Sequence, residues 1–322
     1  MQFWFCNFIV KNLNALVMKK ILQQLEDYMI LKNYSQSTLK CYLSAVRNFY
    51  LWCEMKKDDS DFSKENAHRQ YLVHRYKKGL AWQTVNGDYS AIRMLYTKIL
   101  NRKWEEKKTP RPRKENALPL VISQQDISKL IDNAAIFKHQ MFFILLYATG
   151  LRLSEALHLK FEDIDRKRLQ IRVRRGKGHK DRYIIFPNSL LPVLEKYFKY
   201  YRPHLFIFNG RVRNSQWSIR SAQEAIIQAR RRAKIHQSVT AHTLRHCYAT
   251  HHLENGTDIF TLQKQLGHKN LRTTARYIHL CNKSFTRIFH PLDQLAFCLK
   301  NIISDNSSDD LENSTSKNID PT

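Results

Sequence analysis

Apolar residues recur at helical spacing between residues 19 and 101, where four separate stripes run along the chain. Ser35 or Ser37 precedes the second stripe and can cap its helix. Residues 66–77 carry the third stripe, and Thr84 is the expected cap of the fourth helix. The pattern therefore predicts a small helical bundle whose apolar stripes form its core.

A mixed pattern of helices and short strands follows in the second part of the chain. Ser123 and Asp126 form a capping box at its start, and the apolar helix over residues 139–148 must be buried. Two short strands, 169–174 and 182–186, flank a basic turn. Further helices are predicted over residues 188–201 and 218–233. The chain is therefore expected to be mainly α-helical, with a small antiparallel β-hairpin or sheet.

The expected organisation has five parts. In chain order they are an N-terminal extension (1–18), a helical domain (19–103), a basic linker (104–117), a second domain (118–298) and an acidic tail (299–322). Lys11 interrupts the apolar opening stretch, which makes it a poor signal peptide, and Met18 is a candidate translation start. Pro110 and Pro112 exclude regular helix from the linker and stiffen it. The acidic, polar composition of the tail predicts disorder.

The charge balance indicates what kind of partner the chain binds. Lys and Arg number 54 against 28 Asp and Glu, which gives a formal charge of +26 and a pI near 9.9. Such an excess predicts a nucleic acid partner, with an affinity that falls steeply as the salt concentration rises.

Six cysteines are scattered without a C-x-x-C pair, which favours reduced thiols in the cytoplasm. No apolar run approaches the roughly 20 residues that a membrane helix needs, so no membrane partner is expected.

The candidate chemistry is concentrated between residues 239 and 279. His242, Arg245 and His246 stand at i, i+3 and i+4, so they project from one face of a helix. His268 follows a glycine that ends the next helix, and Tyr277 comes nine residues later. Arginine forks grip phosphate oxygens, imidazoles move protons near neutral pH, and a tyrosine oxygen can attack phosphorus. This set of side chains therefore suits a phosphodiester substrate.

Two upstream segments add basic residues. Arg152 follows the sharp turn at Gly150, which comes after the buried helix, and Glu155 is placed at i+3 to orient a neighbouring basic side chain. Lys177 lies in the turn of the β-hairpin between two glycines, where its ammonium group can extend. Each of these residues alone would more often be an ordinary surface residue, so their weight comes from the set.

Five motifs occur in one order along the chain. They are A-T-G-L-R-L-S-E at 148–155, R-G-K-G-H-K-D-R at 175–182, H-T-L-R-H at 242–246, L-G-H at 266–268 and R-Y-I-H at 276–279. In these motifs and in their separations, the chain resembles the tyrosine recombinase (phage integrase) family. The resemblance covers roughly residues 20–290 and is tightest over residues 118–280.

The resemblance implies a fold and a reaction. The fold would be an N-terminal, SAM-like helical bundle that binds the DNA core site, joined to an α+β catalytic domain. The reaction would be site-specific cleavage and rejoining of double-stranded DNA through a 3′-phosphotyrosine intermediate, with no metal, ATP or other cofactor. The partners would be DNA and either a homotetramer on DNA or a paired related recombinase, acting at the nucleoid. A short form without a separate arm-binding domain is favoured.

The resemblance also assigns roles to the motif residues. Tyr277 would be the nucleophile, Arg152 and Arg245 would neutralise charge on phosphorus, and Lys177 would protonate the leaving 5′ oxygen. His242 would assist proton transfer from the phenol or stabilise the transition state, and His268 would donate a hydrogen bond to a non-bridging oxygen. His246 and Glu155 would not touch the phosphate and would instead orient the residues that do. Lys180 is the alternative general acid and is otherwise a phosphate contact.

Other readings of the same residues stay open at this point. A type IB topoisomerase uses the same chemistry, and a catalytically silent DNA-binding regulator could keep the same fold. Zinc could bind His242 and His246, but no third ligand stands nearby at a usual spacing. The residues expected to contact DNA outside the catalytic set are Lys40, Arg47, Arg93, Arg111, Arg113, Lys180, Arg220, Arg230 and Arg231.

Overall fold

The structure, a computed structural model, describes residues 2–55, 66–113, 119–174 and 181–281, with side chains from residue 16 onward. The chain divides into two compact units between Ala117 and Leu118. The predicted acidic tail and the basic turn that carries Lys177 and Lys180 lie outside the described residues. Within the described residues, no helix combines the length and the apolar character needed to cross a membrane.

The N-terminal unit is a bundle of helices. Its elements are α1 (Gln2–Leu31), α2 (Gln36–Met55), α3 (Ala67–Lys77), α4 (Trp82–Met94) and a short π-helix (Leu95–Ile99). Leu25, Phe49, Ile92 and Leu95 are fully buried in its core, so the stripes read from the sequence do face inward.

Two caps in this unit test the local reading of the sequence. Ser35 accepts a hydrogen bond from the backbone N–H of Thr38 at 3.2 Å, as an N-cap does. The expected cap at Thr84 is wrong, because α4 begins two residues earlier. The backbone N–H groups of Thr84 and Val85 donate to the carbonyl of Ala81, so Thr84 already lies inside the helix.

The described part of the predicted linker, up to residue 113, packs against the N-terminal bundle. The indole N–H of Trp104 donates to the Tyr89 hydroxyl at 3.1 Å. Further along, the Arg111 guanidinium donates to the Asn86 side-chain oxygen at 2.8 Å and lies over the Tyr89 ring. Aromatic and polar contacts of this kind hold the segment on its own unit.

The C-terminal unit surrounds a three-stranded antiparallel sheet with helices. Its elements are α5 (Gln124–Asp132), α6 (Phe137–Thr149), α7 (Leu153–Leu157), a 3₁₀ turn (Phe161–Asp163), β1 (Ile164–Asp165), β2 (Gln170–Val173), β3 (Arg182–Ile185), α8 (Leu190–Tyr201), α9 (Ile219–Arg232), α10 (Ala241–Glu254), α11 (Ile259–Leu266), α12 (Leu271–Ala275) and a second 3₁₀ turn (Ile278–Leu280). The strand order is β1-β2-β3, with Ile171 opposite both Ile164 and Ile184. The predicted mainly helical fold with a small antiparallel sheet is confirmed.

Helix α6 forms the centre of this unit and positions the site. Met141, Phe142 and Leu146 on this helix are fully buried, and α10 packs against it. The helix ends at Gly150, whose φ of +60° lies in the left-handed region. A Cβ at this position would collide with the ring of Tyr248 on α10, so glycine allows the close approach of the two elements.

Candidate active site

Helix α10 carries three of the predicted site residues on one face. Its start is set by a capping box, in which Thr243 N–H donates to the Thr240 hydroxyl at 3.2 Å and Thr240 N–H donates back at 3.1 Å. His242, Arg245 and His246 follow within the first two turns. The cap therefore sets the register of this face, from which Arg245 points toward the ends of α6 and α11 and His246 toward the turn after α12.

Arg245 is a buried cation held by backbone carbonyls. Only 3% of the residue is exposed, and its two terminal nitrogens donate to the carbonyls of Gly150 at 2.5 Å and Leu266 at 2.7 Å. Burial and the nearby Arg152 lower the pKa of Arg245 to about 10, which still leaves it charged at neutral pH. These carbonyls and His268 use three of its five N–H donors, so part of the guanidinium fork is available to an anion.

His268 lies directly behind this guanidinium. Asp258 caps α11 by accepting from Thr261 N–H at 2.8 Å, and Gly267 ends the helix with φ +64°, as expected. The Nε2 atom of His268 accepts from Arg245 at 3.0 Å, and Nδ1 lies 2.9 Å from the Thr274 hydroxyl. Both ring nitrogens are therefore engaged within the protein, and the ring braces Arg245.

Tyr277 completes the cluster from the turn after α12. Only 4% of the residue is exposed, and its hydroxyl lies 3.0 Å from Nδ1 of His246. Its ring stacks near that of His268, with centroids 6.4 Å apart and planes 16° apart. Burial raises the pKa of the Tyr277 phenol, while Arg245, Arg276 and Arg152 act in the opposite direction.

His242 and His246, both on α10, occupy different places. Their ring centroids are 6.3 Å apart, and in the described residues it is His246, not His242, that makes the hydrogen bond to Tyr277. Burial, together with Arg245 and Arg152, lowers the pKa of His242, so this ring is neutral near pH 7. His242 lies one helical turn before His246, on the same face as Arg245.

Arg152 is fixed by the short helix that it begins. Its backbone N–H donates to Oε2 of Glu155 at 2.9 Å, and its Nη1 donates to Oε1 at 2.8 Å. The carboxylate of Glu155 also receives a two-pronged hydrogen bond from Arg182, at 2.9 and 2.8 Å. Burial alone would raise the pKa of Glu155, but the bonds from the two arginines lower it to about 2. Glu155 therefore holds two guanidinium groups at once.

Arg182 contacts the site but received no role in the sequence analysis, where it was only the last residue of the 175–182 motif and the start of a strand. It begins β3, and its Nε donates to the backbone carbonyl of Gln265 on α11 at 3.4 Å. The side chain of Gln265 accepts from Ile185 N–H at 2.9 Å, which fixes β3 to the same helix. The sequence did contain one signal for this contact. Glu155 is an acidic residue and the motifs contain several basic side chains, so it could be expected to pair with more than one of them.

Comparison with known proteins identifies the family. The model described as "Phage integrase family" matches residues 121–284, and the model described as "Phage integrase, N-terminal SAM-like domain" matches residues 21–106. The chain belongs to the phage integrase family. The resemblance read from the five motifs is confirmed.

Individual relatives support this membership. Tyrosine recombinase XerA of Pyrococcus horikoshii is 30% identical, over 85% of this chain and 94% of its own length. Tyrosine recombinase XerC of Staphylococcus saprophyticus is 30% identical, over 85% of this chain and 98% of its own. A crystal structure of a lambda integrase dimer bound to a COC′ core site shares the fold, with a TM-score of 0.68 over 84% of this chain and 98% of that chain, at 16% identity. The chain is a site-specific DNA recombinase of the tyrosine type.

The basic residues expected to contact DNA are distributed over both units, and most are exposed. Lys40, Arg47 and Arg113 are exposed on the N-terminal unit, where Arg93 also pairs with Glu106 at 3.0 Å. The others that the structure describes are Arg111, which is bound to Asn86, and the three α9 residues Arg220, Arg230 and Arg231. Arg230 donates to two backbone carbonyls and so has a structural role, whereas Arg220 and Arg231 are exposed.

Proposed function

We propose that this recombinase cuts a DNA strand by attack of the Tyr277 hydroxyl on a phosphodiester. The product is a 3′-phosphotyrosine and a free 5′ hydroxyl, and the 5′ hydroxyl of a partner strand reverses the step. The observation that carries the proposal is the contact cluster around Tyr277, in which a buried guanidinium and two imidazoles surround the phenol. Because the covalent link preserves the energy of the phosphodiester bond, rejoining needs no ATP.

The arginines supply the electrostatic part of the reaction. Charge builds on the non-bridging oxygens as the phenol adds to phosphorus, and fixed cations in a buried site are the strongest means of stabilising it. Arg245 is held rigidly by two carbonyls, and Arg152 is held by Glu155. Both are therefore preorganised to bind the transition state, which supports their assignment as the phosphate-gripping pair.

The leaving 5′ oxygen needs a proton, and Lys177 is the proposed donor, with Lys180 as the alternative. The support is the family motif and the position of this turn between β2 and β3. The Arg182–Glu155 contact holds the first residue of β3, which follows this turn in the chain, beside the carboxylate that also binds Arg152. His242 and His268 are proposed to assist, His242 near the phosphate and His268 by bracing Arg245.

The proposed substrate is double-stranded DNA carrying a specific core site, and the proposed site of action is the nucleoid. The formal charge of +26 supports a polyanionic partner, and the lambda integrase relative was crystallised on a core site. Two strand exchanges through a four-way junction need four active sites. We therefore expect a tetramer on DNA, made of one chain or paired with a related recombinase.

A covalent trap tests the proposed nucleophile. The full chain is incubated, in the presence of EDTA, with nicked duplexes drawn from DNA flanking its own gene, and the products are separated on denaturing gels. We expect a protein–DNA adduct that is lost in Tyr277→Phe while salt-sensitive DNA binding is kept. Tyr248→Phe is the matched control, because Tyr248 lies on α10 and is also 4% exposed. An adduct that persists in Tyr277→Phe, or none with DNA that the wild type binds, would contradict the proposal.

A further inference from the structure

The closest polar partner of the nucleophile in the described residues is His246. Its Nδ1 lies 3.0 Å from the Tyr277 hydroxyl, and the two ring centroids are 5.6 Å apart. A group that removes a proton from a nucleophile must lie within this range, about 2.6–3.2 Å between heavy atoms. His242, one turn earlier on the same helix, makes no such contact in the part of the chain that the structure describes.

The surroundings keep both partners of this contact neutral before substrate binds. The groups that face the His246 ring are cations or neutral rings: His242 and Arg245 from α10, and Arg276 and Tyr277 from the segment after α12. Burial, together with His242, Arg245 and Arg276, lowers the pKa of His246 to about 4, so the imidazole is unprotonated at neutral pH and can accept from the phenol. Burial raises the pKa of the phenol, so it stays protonated. The nucleophile therefore needs a nearby acceptor for its proton.

We propose that His246 orients the Tyr277 hydroxyl and accepts its proton during strand cleavage. The proposal rests on the attack by Tyr277 proposed above. In this step the phenolic O–H bond breaks and its proton moves to Nδ1 of His246. The phenolic oxygen bonds to phosphorus as the bond from phosphorus to the 5′ oxygen breaks, and that oxygen takes its proton from the general acid. On rejoining, His246 returns the proton to the phenol.

The substrate itself makes His246 a better base. An opposite charge a few ångströms from an imidazole favours its protonated form and raises its pKa. A phosphodiester bound against Arg245 would bring negative charge beside the His246 ring, which no carboxylate contacts among the described residues. The ring would therefore be neutral in the free protein and gain basicity when DNA is in place. Because the ring stays unprotonated until DNA binds, it is still able to accept the Tyr277 proton when the substrate is in place.

Two variants separate orienting from proton transfer. Asn places an amide group where Nδ1 of histidine lies, so His246→Asn can still hydrogen-bond the phenol but cannot accept its proton. His246→Ala removes both functions. The rate of adduct formation on nicked duplexes is measured in single turnover between pH 6 and pH 9. We expect both variants to be slower by roughly 100-fold or more at pH 7, with the Asn deficit shrinking as pH rises and the phenol ionises unaided.

A more acidic phenol provides the second readout. Replacing Tyr277 with a fluorinated tyrosine lowers the phenol pKa, so His246→Asn should recover much more rate than the wild type gains. A purely structural role for His246 would give no such difference. His252→Asn is the matched control, because His252 is half-buried on the same helix and bonds Thr257 at 3.0 Å, and it should react at the wild-type rate.

The outcomes distinguish this inference from the proposed function. If the wild type forms no adduct through Tyr277, the proposed function fails. If the adduct forms on Tyr277 and His246→Ala is as fast as the wild type, only the role of His246 is wrong. Equal acceleration of the wild type and His246→Asn by the fluorinated tyrosine would likewise overturn proton transfer to His246. Circular dichroism of each variant checks that it is folded.

Discussion

Replacing Glu155 with glutamine tests the ionic network that supports Arg152. The carboxylate receives hydrogen bonds from Arg152 and Arg182, and its side chain is only 7% exposed. Glutamine keeps the shape of the side chain but removes its negative charge, and its NH₂ group faces guanidinium donors. The amide has one acceptor oxygen where the carboxylate has two, so the two hydrogen bonds that each carboxylate oxygen accepts cannot all be kept.

The size of the effect follows from the pKa of the carboxyl. Its value of about 2 in the folded chain compares with an ordinary value of 4.5. At about 1.4 kcal/mol for each pKa unit, the ionised form contributes about 3 kcal/mol to folding. Because the folded value is the lower one, this stabilisation is fully present above pH 4.5 and is lost as the pH falls toward 2. Removing one partner of a buried ion pair costs a similar amount, roughly 3–5 kcal/mol.

Urea unfolding of the full chain at several pH values provides the assay. We expect Glu155→Gln to lose about 3 kcal/mol of unfolding free energy at pH 7, and we expect the difference from wild type to shrink below pH 4. Glu162→Gln is the matched control, because its carboxylate pairs with Arg174 at 2.9 Å but is 59% exposed. That change should cost less than about 1 kcal/mol. Equal effects of the two variants, or a pH-independent difference, would refute the reasoning.

Two further changes probe the same site. Arg245→Lys keeps the charge but loses the guanidinium that bonds two carbonyls, so we expect the cleavage rate to fall roughly 100- to 1,000-fold. DNA affinity, measured by fluorescence anisotropy, should change little. A variant that cleaves at the wild-type rate would contradict the assignment of Arg245 as a phosphate-binding residue. Gly267→Ala puts a Cβ about 2.7 Å from the Arg182 side chain at φ +64°, whereas Gly256→Ala has φ +87° and open space around it. Both variants should lose about 1–2 kcal/mol of unfolding free energy, because alanine is disfavoured in the left-handed conformation. Only Gly267→Ala should also slow cleavage, because it displaces Arg182. Equal cleavage rates for the two variants would rule out a role for Arg182.

Local signals in the sequence were the ones that predicted structure best. Ser123, and either Ser35 or Ser37, were expected to cap helices, and Ser123 and Ser35 each accept a hydrogen bond from the N–H three residues later. Such contacts span three residues, so the sequence alone contains both partners. Thr84 failed because a suitable side chain does not decide where a helix begins, and Ala81 supplied the first carbonyl instead.

Contacts that depend on the fold could not be read in advance. The hydrogen bond between His246 and Tyr277 joins positions 31 residues apart, and the bond from Arg182 to Glu155 joins positions 27 apart. The sequence predicted that Glu155 would orient a basic neighbour, but it did not say that one carboxylate would serve two arginines. Strand β1 is two residues long and so carries no detectable alternation. In each case the missing information was tertiary packing.

The buried charge of Arg245 explains why the motifs around it contain glycine. The carbonyls that hold its guanidinium belong to Gly150, at the end of α6, and Leu266, the last residue of α11. Helix C-termini carry partial negative charge, so they stabilise a cation without cancelling it as a carboxylate would. Both helices can end at this point because Gly150 and Gly267 adopt left-handed conformations. The cation is thereby fixed by dipoles, and its charge remains available to a phosphate.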